Sequence, residues 1–241
     1  MTFETAPLFR DDSYLTICEA KILDINERGG IILDRTNFYP TGGGQAGDIG
    51  KLERADGSMI NVGATVYGQS KSEIVHVPSD EVAGLKIGET LAGHIDWARR
   101  YKHMQMHTTL HLLCASLPYP VTGGSIGAEE SRLDFDIPDA GLDKEEITGQ
   151  LNGLIAGDHS VSQEWITDEE LDANPELVRT MSVSPPRGSG RIRLVRIGDI
   201  DLQPCGGTHV KSTAEIGQVL VSKIEKKGKQ NRRIRIRLTE T

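Results

Sequence analysis

Asp96-Trp97-Ala98-Arg99-Arg100-Tyr101-Lys102-His103-Met104-Gln105-Met106-His107-Thr108-Thr109-Leu110-His111-Leu112-Leu113-Cys114-Ala115-Ser116-Leu117 is the stretch on which the reading of the fold turns. No Gly or Pro interrupts it, and Trp97, Tyr101, Met104, Thr108, His111 and Ala115 recur at helical spacing. Asp96 is placed to cap a helix here, and Pro118 and Pro120 end it. Upstream, short apolar runs (Leu15 to Ile22, Gly30 to Leu33, Met59 to Val66, Ile74 to Val77) alternate with Gly, Asp and Pro. That punctuation reads as strands of a small barrel or sandwich, with Asp56-Gly57 as a hairpin turn.

Downstream the pattern is mixed. Leu133 to Ile137, Val161 to Ile166, Arg191 to Arg196, Ile216 to Ile224 and Arg233 to Leu238 read as strands. Asp143 to Ala156 reads as a helix with Ile147, Leu151, Leu154 and Ile155 on one face, and Asp168 to Leu177 as a short acidic helical stretch. Ser184 to Gly190 reads as a loop. The expectation is α+β: a small β-barrel-like domain over residues 1–93, then an α+β domain over residues 94–241.

Of 241 residues, 37% are hydrophobic, 5% aromatic and 27 are Gly, which suits a strand-rich chain with many tight turns. There is no apolar run long enough to span a bilayer and no apolar leader near the start, so a cytoplasmic protein without membrane contact is expected. Cys18, Cys114 and Cys205 are an odd, widely spaced set that makes no disulfide framework; buried packing is the expectation for Cys18 and Cys114. Net charge is −8, yet Lys223 to Arg237 holds eight basic residues and one acid, Glu225. That segment is +7, so the other 226 residues carry −15. Such a basic patch on an acidic body attracts a polyanion at one place. Read on its own, it also fits a solvated edge strand whose charges block aggregation.

His107 and His111 lie four apart on the expected helix, so both imidazoles share one side. Cys205-Gly206-Gly207-Thr208-His209 adds two potential ligands around a Gly-Gly bend. Together His107, His111, Cys205 and His209 form a soft Cys-His₃ set suited to Zn²⁺ rather than Mg²⁺ or Ca²⁺. His76, His94, His103 and His159 have no partner at such spacing and read as structural or exposed. Two enzyme classes are excluded. A zinc protease of the H-E-x-x-H type needs Glu where this chain has Thr108. A nucleobase deaminase needs a second Cys after Pro204-Cys205, and none follows.

With these motifs in view, the chain resembles alanyl-tRNA editing domains. Met106 to Leu113, preceded by Asp96 to Tyr101, is similar to their first zinc motif, and Cys205 to Val210 to the second. Phe38-Tyr39-Pro40-Thr41-Gly42-Gly43-Gly44-Gln45-Ala46-Gly47-Asp48-Ile49-Gly50 resembles their glycine-rich motif, and Lys226 to Ile234 their basic closing segment. The likeness runs in order from about Phe38 to Leu238 and fits the freestanding, medium-length AlaX proteins, with a C-terminal part resembling the second additional domain of threonyl- and alanyl-tRNA synthetases.

The resemblance implies a zinc-dependent deacylase acting in trans on mischarged tRNA(Ala), chiefly Ser-tRNA(Ala), with Gly-tRNA(Ala) as a further candidate, and no obligate protein partner. It implies Gln45 beside the catalytic pocket; by itself Gln45 also reads as a surface turn residue. His209 is the candidate for a loosely held ligand that doubles as base, because four protein ligands leave zinc no open position. Gly43 and Gly44 would bring backbone N–H groups to a phosphate or carbonyl. Discrimination against the smaller alanine needs a polar group that pairs with the serine hydroxyl. Thr41, Thr122 and Ser125 are the candidates, with the loop Thr122-Gly123-Gly124-Ser125 favoured. Lys223, Lys226, Lys227, Lys229, Arg232 and Arg233 would hold acceptor-end phosphates. The alternatives are a non-catalytic zinc-stabilised RNA-binding module and editing of another mischarged tRNA.

Overall fold

The computed structural model describes residues 3–138, 141–178 and 191–239, so the expected Ser184 to Gly190 loop lies outside the described residues. The chain divides into two compact units, Met1–Tyr101 and Lys102–Thr241. Strands of the first unit are β1 (Ala6–Pro7), β2 (Ile17–Ile25), β3 (Ile31–Leu33), β4 (Arg35–Thr36), β5 (Gly50–Glu53), β6 (Met59–Tyr67), β7 (Ile74–Pro78) and β8 (Thr90–Ile95). Helix α1 (Trp97–Ser116) begins in this unit; the second continues with β9 (Val121–Ser125), β10 (Ser131–Asp136) and α2 (Lys144–Ala156). Then come β11 (Val161–Ile166), α3 (Asp168–Ala173), β12 (Ile192–Ile197), β13 (Asp201–Pro204), β14 (Val219–Lys226) and β15 (Asn231–Leu238). No helix among the described residues is long and apolar enough to cross a membrane.

The first unit is a closed six-stranded barrel in the order β2-β3-β7-β6-β5-β8. Closure leaves no sheet edge, and alternation sends Ala20, Ile22, Leu33, Leu52, Ile60, Val62, Leu91 and Ile95 inward around Phe38. The Asp56-Gly57 turn joins β5 to β6, with Gly57 N–H donating to Arg54 O at 2.9 Å. His76 is buried in the barrel against Thr36 Oγ1 at 2.8 Å and Ile31 O at 3.1 Å, and burial pushes its pKa down to about 4. His94 faces Glu53 at 2.9 Å, and His103 is buried. Cys114 is buried, while Cys18 is half-buried with its Sγ 3.3 Å from Asn37 Oδ1.

The glycine-rich motif leads into β5. Gly42 and Gln45 exchange both backbone hydrogen bonds, at 3.1 and 2.9 Å, across a two-residue turn. Gly43 (φ 57) and Gly44 (φ 83) both take the left-handed conformation that such a turn requires. Gln45 is fully buried rather than a surface turn residue, because this hairpin folds its side chain inward. At Gly47 a Cβ would lie 2.2 Å from Thr65 O, so only glycine fits beneath Thr41.

Behind the motif, Asp48 accepts from Tyr39 N–H at 2.6 Å and takes the Arg100 guanidinium through Nε at 3.1 and 3.0 Å. Arg100 Nη2 also bonds Asp48, and Arg100 completes its set on Ser13 O at 2.9 Å and Asn37 O at 2.7 Å. Arg100 is completely buried, and this near-full use of its donors is what permits it.

In the second unit, α2 starts at Asp143, whose side chain accepts from Glu146 N–H at 2.8 Å, and buries Ile147, Leu151 and Ile155 at i, i+4 and i+8. It packs on β14 of the sheet β14-β15-β10-β9, where Asn152 exchanges two hydrogen bonds with the Val219 backbone. A second sheet runs β11-β12-β13, and Leu171 of α3 packs with Ile192 and Leu194 on one side of it.

Four expectations change. The helical stretch from Asp168 ends at Ala173, because Pro175 withholds an N–H and starts a separate 3₁₀ turn, Pro175–Leu177. The strand expected from Ile216 begins at Val219, after a 3₁₀ turn over Thr213–Ile216. Thr122 to Ser125 is strand β9 and not a loop; its small residues sit in register against Asp134, Leu133 and Arg132. Finally, the arginine-rich strand β15 is interior, flanked by β14 and β10.

Candidate metal centre and nucleic-acid face

α1 carries His107 and His111 on one face, with ring centroids 5.4 Å apart. The Cys205 to His209 turn follows β13 immediately and closes on them. Cys205 Sγ lies 3.4 Å from His107 Nε2 and 3.3 Å from His209 Nε2, and all four ligand atoms fall within 4.8 Å of one another. The three histidines are buried, and Cys205 is half-buried.

Hydrogen bonds choose the tautomers. His111 Nδ1 meets Asp201 Oδ2 at 2.9 Å, leaving Nε2 for the cluster. Thr108 donates its hydroxyl proton to Met104 O at 2.9 Å, so its oxygen accepts from His209 Nδ1–H at 3.1 Å. The His209 Nε2 lone pair is thereby turned toward Cys205. Asp201 is itself held by Gln203 Nε2–H at 2.8 Å. Gly207 N–H points at Cys205 Sγ from 3.4 Å, and Arg193 Nη1 donates to Cys205 O and Gly207 O at 2.9 Å each. These partners orient the ligands as outer groups do around metal ions.

Electrostatics follow the same plan in the chain without a metal. Burial opposes ionisation of the Cys205 thiol, but the His107 and His209 imidazoles beside it overcome that and hold its pKa well below the ordinary thiol range. Burial, with the charge of His107, keeps His209 well below the usual imidazole value. Burial would lower His111 too; Asp201 and Cys205 outweigh it and carry His111 up to about 10. A site that already favours thiolate and has its imidazole Nε2 atoms converging is suited to a soft divalent cation. Tetrahedral edges built from Zn–N and Zn–S bond lengths are roughly 3.3–3.6 Å, and the two S···N separations match them. The donor set fits a metal ion.

Other sequence-derived candidates take different places. Gln45, Thr41, Gly43 and Gly44 belong to the first unit and the four ligands to the second. Thr41 Oγ1 donates to Thr65 O at 3.3 Å and accepts from Gly47 N–H at 2.9 Å, so its hydroxyl pins the glycine-rich turn. Thr122 Oγ1 donates to Asp134 O at 3.2 Å and accepts from Asn231 Nδ2–H at 2.7 Å, which ties together β9, β10 and β15. Ser125 is half-buried in β9.

The basic segment folds as the β14–β15 hairpin, and much of its charge is matched. Arg233 pairs with Asp134 at 2.7 Å, Arg235 with Glu225 at 2.6 Å and Glu130 at 2.5 Å, and Arg237 with Glu130 at 2.9 Å. Lys223 reaches Glu225 at 3.3 Å, and Lys227 reaches it at 3.9 Å. Lys226, Lys229 and Arg232, at the turn end, make no ion pair among the described residues. The +7 counted along the segment is thus offset by Asp134 and Glu130 from outside it.

Sequence reasoning missed Thr108, Asp201, Gln203 and Arg193 as supports of the site. A faint signal existed: Asp201 and Gln203 are polar residues two apart on a strand, both buried, which is where a sheet face meets a polar site.

Comparison with known proteins agrees with this layout. The family described as threonyl and alanyl tRNA synthetase second additional domain matches residues 192–235, and tRNA synthetases class II (A) matches residues 15–99. An alanyl-tRNA editing protein AlaX-M of Methanosarcina mazei is 36% identical over 95% of this chain and 95% of its own length. Another, from Saccharolobus solfataricus, is 35% identical over 95% of this chain and 97% of its own. An alanine–tRNA ligase of Pyrobaculum aerophilum is 35% identical over 92% of this chain but only 25% of its own length. A stretch similar to nearly all of this chain thus makes up nearly the whole of the editing proteins and about a quarter of the synthetase, and this chain belongs to the AlaX family of alanyl-tRNA editing proteins.

Proposed function

We propose that the chain is a cytoplasmic, zinc-dependent aminoacyl-tRNA deacylase that acts in trans on mischarged tRNA(Ala), chiefly Ser-tRNA(Ala), with Gly-tRNA(Ala) as a second substrate. The carrying observation is the convergence of His107, His111, Cys205 and His209 with hydrogen bonds on their far sides. A zinc ion held by these four would supply Lewis acidity toward the ester carbonyl and favour hydroxide over water near neutral pH. The chain's own residues do the rest. His209, with its Nδ1–H retained by Thr108, keeps an Nε2 lone pair that would either help hold the ion or accept the proton of the attacking water. Gln45 orients the water or the ester through its amide, and the Gly43–Gly44 turn offers backbone N–H groups to the substrate.

Serine and alanine differ by one hydroxyl, and only a polar partner left unpaired by alanine discriminates strongly. With Thr41 and Thr122 engaged in the fold, Ser125 is the proposed partner. Phosphates of the acceptor end fall to Lys226, Lys227, Lys229 and Arg232, with Lys223 and Arg233 contributing through their shared ion pairs.

Deacylation of Ser-, Gly- and Ala-charged tRNA(Ala), with and without a chelator, tests this. Ser- and Gly-charged tRNA should be hydrolysed, Ala-charged tRNA spared, and the chelator should abolish turnover. His209→Ala should lose turnover and retain less metal; full activity would remove His209 from the reaction. Four protein ligands also suit a purely structural zinc in an RNA-binding module. That reading predicts tRNA binding with no hydrolysis, and unfolding of the second unit on metal removal.

A further inference from the structure

Trp165 is one of only two tryptophans in the chain, and it is 43% exposed on the edge strand β11. It stands directly across from Arg193 of β12, and residues opposite each other in an antiparallel pair project from the same face. The next position in that row is Cys205, whose N–H donates to Arg193 O at 3.1 Å. Trp165, Arg193 and Cys205 thus form one row across three strands. Two strand spacings put Trp165 roughly 10 Å from the Cys205 backbone.

The face itself is graded. At one end Ile197, Asp201, Val195 and Gln203 are buried, and Asp201 reaches His111 of α1. At the other end Trp165 is largely uncovered on the face it shares with Arg193, whose guanidinium is held by Gln163 Oε1, accepting from Nε at 2.7 Å, and by Cys205 O and Gly207 O. The opposite face of the sheet is occupied by the cluster of Leu171, Ile192 and Leu194, with Ile166 and Leu202 packed against it. Trp165 is not part of that cluster, and by register it lies on the face that carries Asp201 and Cys205.

We propose that Trp165 is the stacking platform for an unpaired base at the 3′ end of the tRNA, with Arg193 holding both that rim and the Cys205 turn. This rests on the deacylase reading above. The scissile ester sits on the terminal ribose, so a base on that nucleotide or the one before it lies a short step from the cluster. An exposed aromatic face on a surface that also carries a cation is the chemistry that holds single-stranded nucleotides without reading their sequence.

Two measurements test it. In a Trp97→Phe background, emission from Trp165 should be quenched by a short oligoribonucleotide ending in CCA, and much less by one with abasic terminal positions. Trp165→Ala and Trp165→Leu should raise KM for Ser-charged tRNA(Ala) on the order of 10-fold, with kcat and metal content little changed. Trp165→Phe should restore most of the loss, which a merely structural role for bulk would not require. Unchanged KM in Trp165→Ala together with no quenching overturns the proposal and leaves the deacylase reading intact. Quenching by CCA in a protein that hydrolyses no ester overturns the deacylase reading and leaves stacking standing. If Trp165→Ala instead converts a dimer to a monomer without altering KM, the face is a contact between copies and the proposal fails.

Discussion

At the scale of single residues, outer partners decide how the metal ligands behave. Asp201 has no place in the Cys-His pattern, yet it fixes the His111 ring and is itself fixed by Gln203. Replacing such a partner costs metal affinity by 10- to 100-fold in order of magnitude. Asp201→Asn, loaded with a divalent metal ion, is therefore expected to lose it to a competing chelator about 10–100-fold more readily while keeping its far-UV circular dichroism. His76 is the other residue whose surroundings override its type. Its folded pKa of about 4 lies below the unfolded value of 6.5, so the unfolded chain takes up the proton first as pH falls. The stability this contributes is complete above 6.5 and is lost as pH drops toward 4. Between pH 7 and pH 5 the loss is about 2 kcal/mol, measurable by urea unfolding. His76→Gln should flatten that part of the profile.

At the scale of elements, short segments are held by a few high-stakes contacts. The glycine-rich motif and the first turn of α1 share the Arg100–Asp48 pair, which is cut off from water on all sides. Removing one member leaves a buried guanidinium without its counter-charge, which costs about 3–5 kcal/mol. Asp48→Asn should therefore lower the unfolding free energy by that amount, read from urea denaturation as a lower midpoint at unchanged slope. An exposed pair such as Lys102–Glu129, replaced in the same way, should change stability by about 1 kcal/mol at most.

At the scale of the whole molecule, charge is acidic overall and cationic only in places. Because Arg233, Arg235 and Arg237 spend their charge on Asp134, Glu225 and Glu130, few cations remain available for counterion release. The logarithm of tRNA affinity against the logarithm of salt should therefore have a slope of about −2 to −3, from the three cations without an ion pair among the described residues, rather than about −6 to −7 from all the basic residues, at about 0.7–0.9 per phosphate contact. Replacing Lys226, Lys229 and Arg232 together by Gln should flatten most of it. Arg235→Gln should leave the slope unchanged and cost stability, since it leaves Glu130 and Glu225 partly unmatched. A titration of binding against salt with these variants separates the two groups.

Much of this molecule was legible in the sequence because the relevant signals are local. Helical spacing of His107 and His111, the Gly-Gly bend between Cys205 and His209, and the alternation of Ile234 and Ile236 with arginines each depend on backbone period alone. The same holds for the barrel strands, where turn residues mark the ends. What only the tertiary structure decided are relations between distant segments. It set Asp134 beside Arg233, closed β15 between two neighbours, spent the hydroxyls of Thr41 and Thr122 on the fold, and brought Asp201 to His111. A residue's type states which bonds it is able to make, but its partner is chosen by register and packing across a hundred residues, and neither is written in local period.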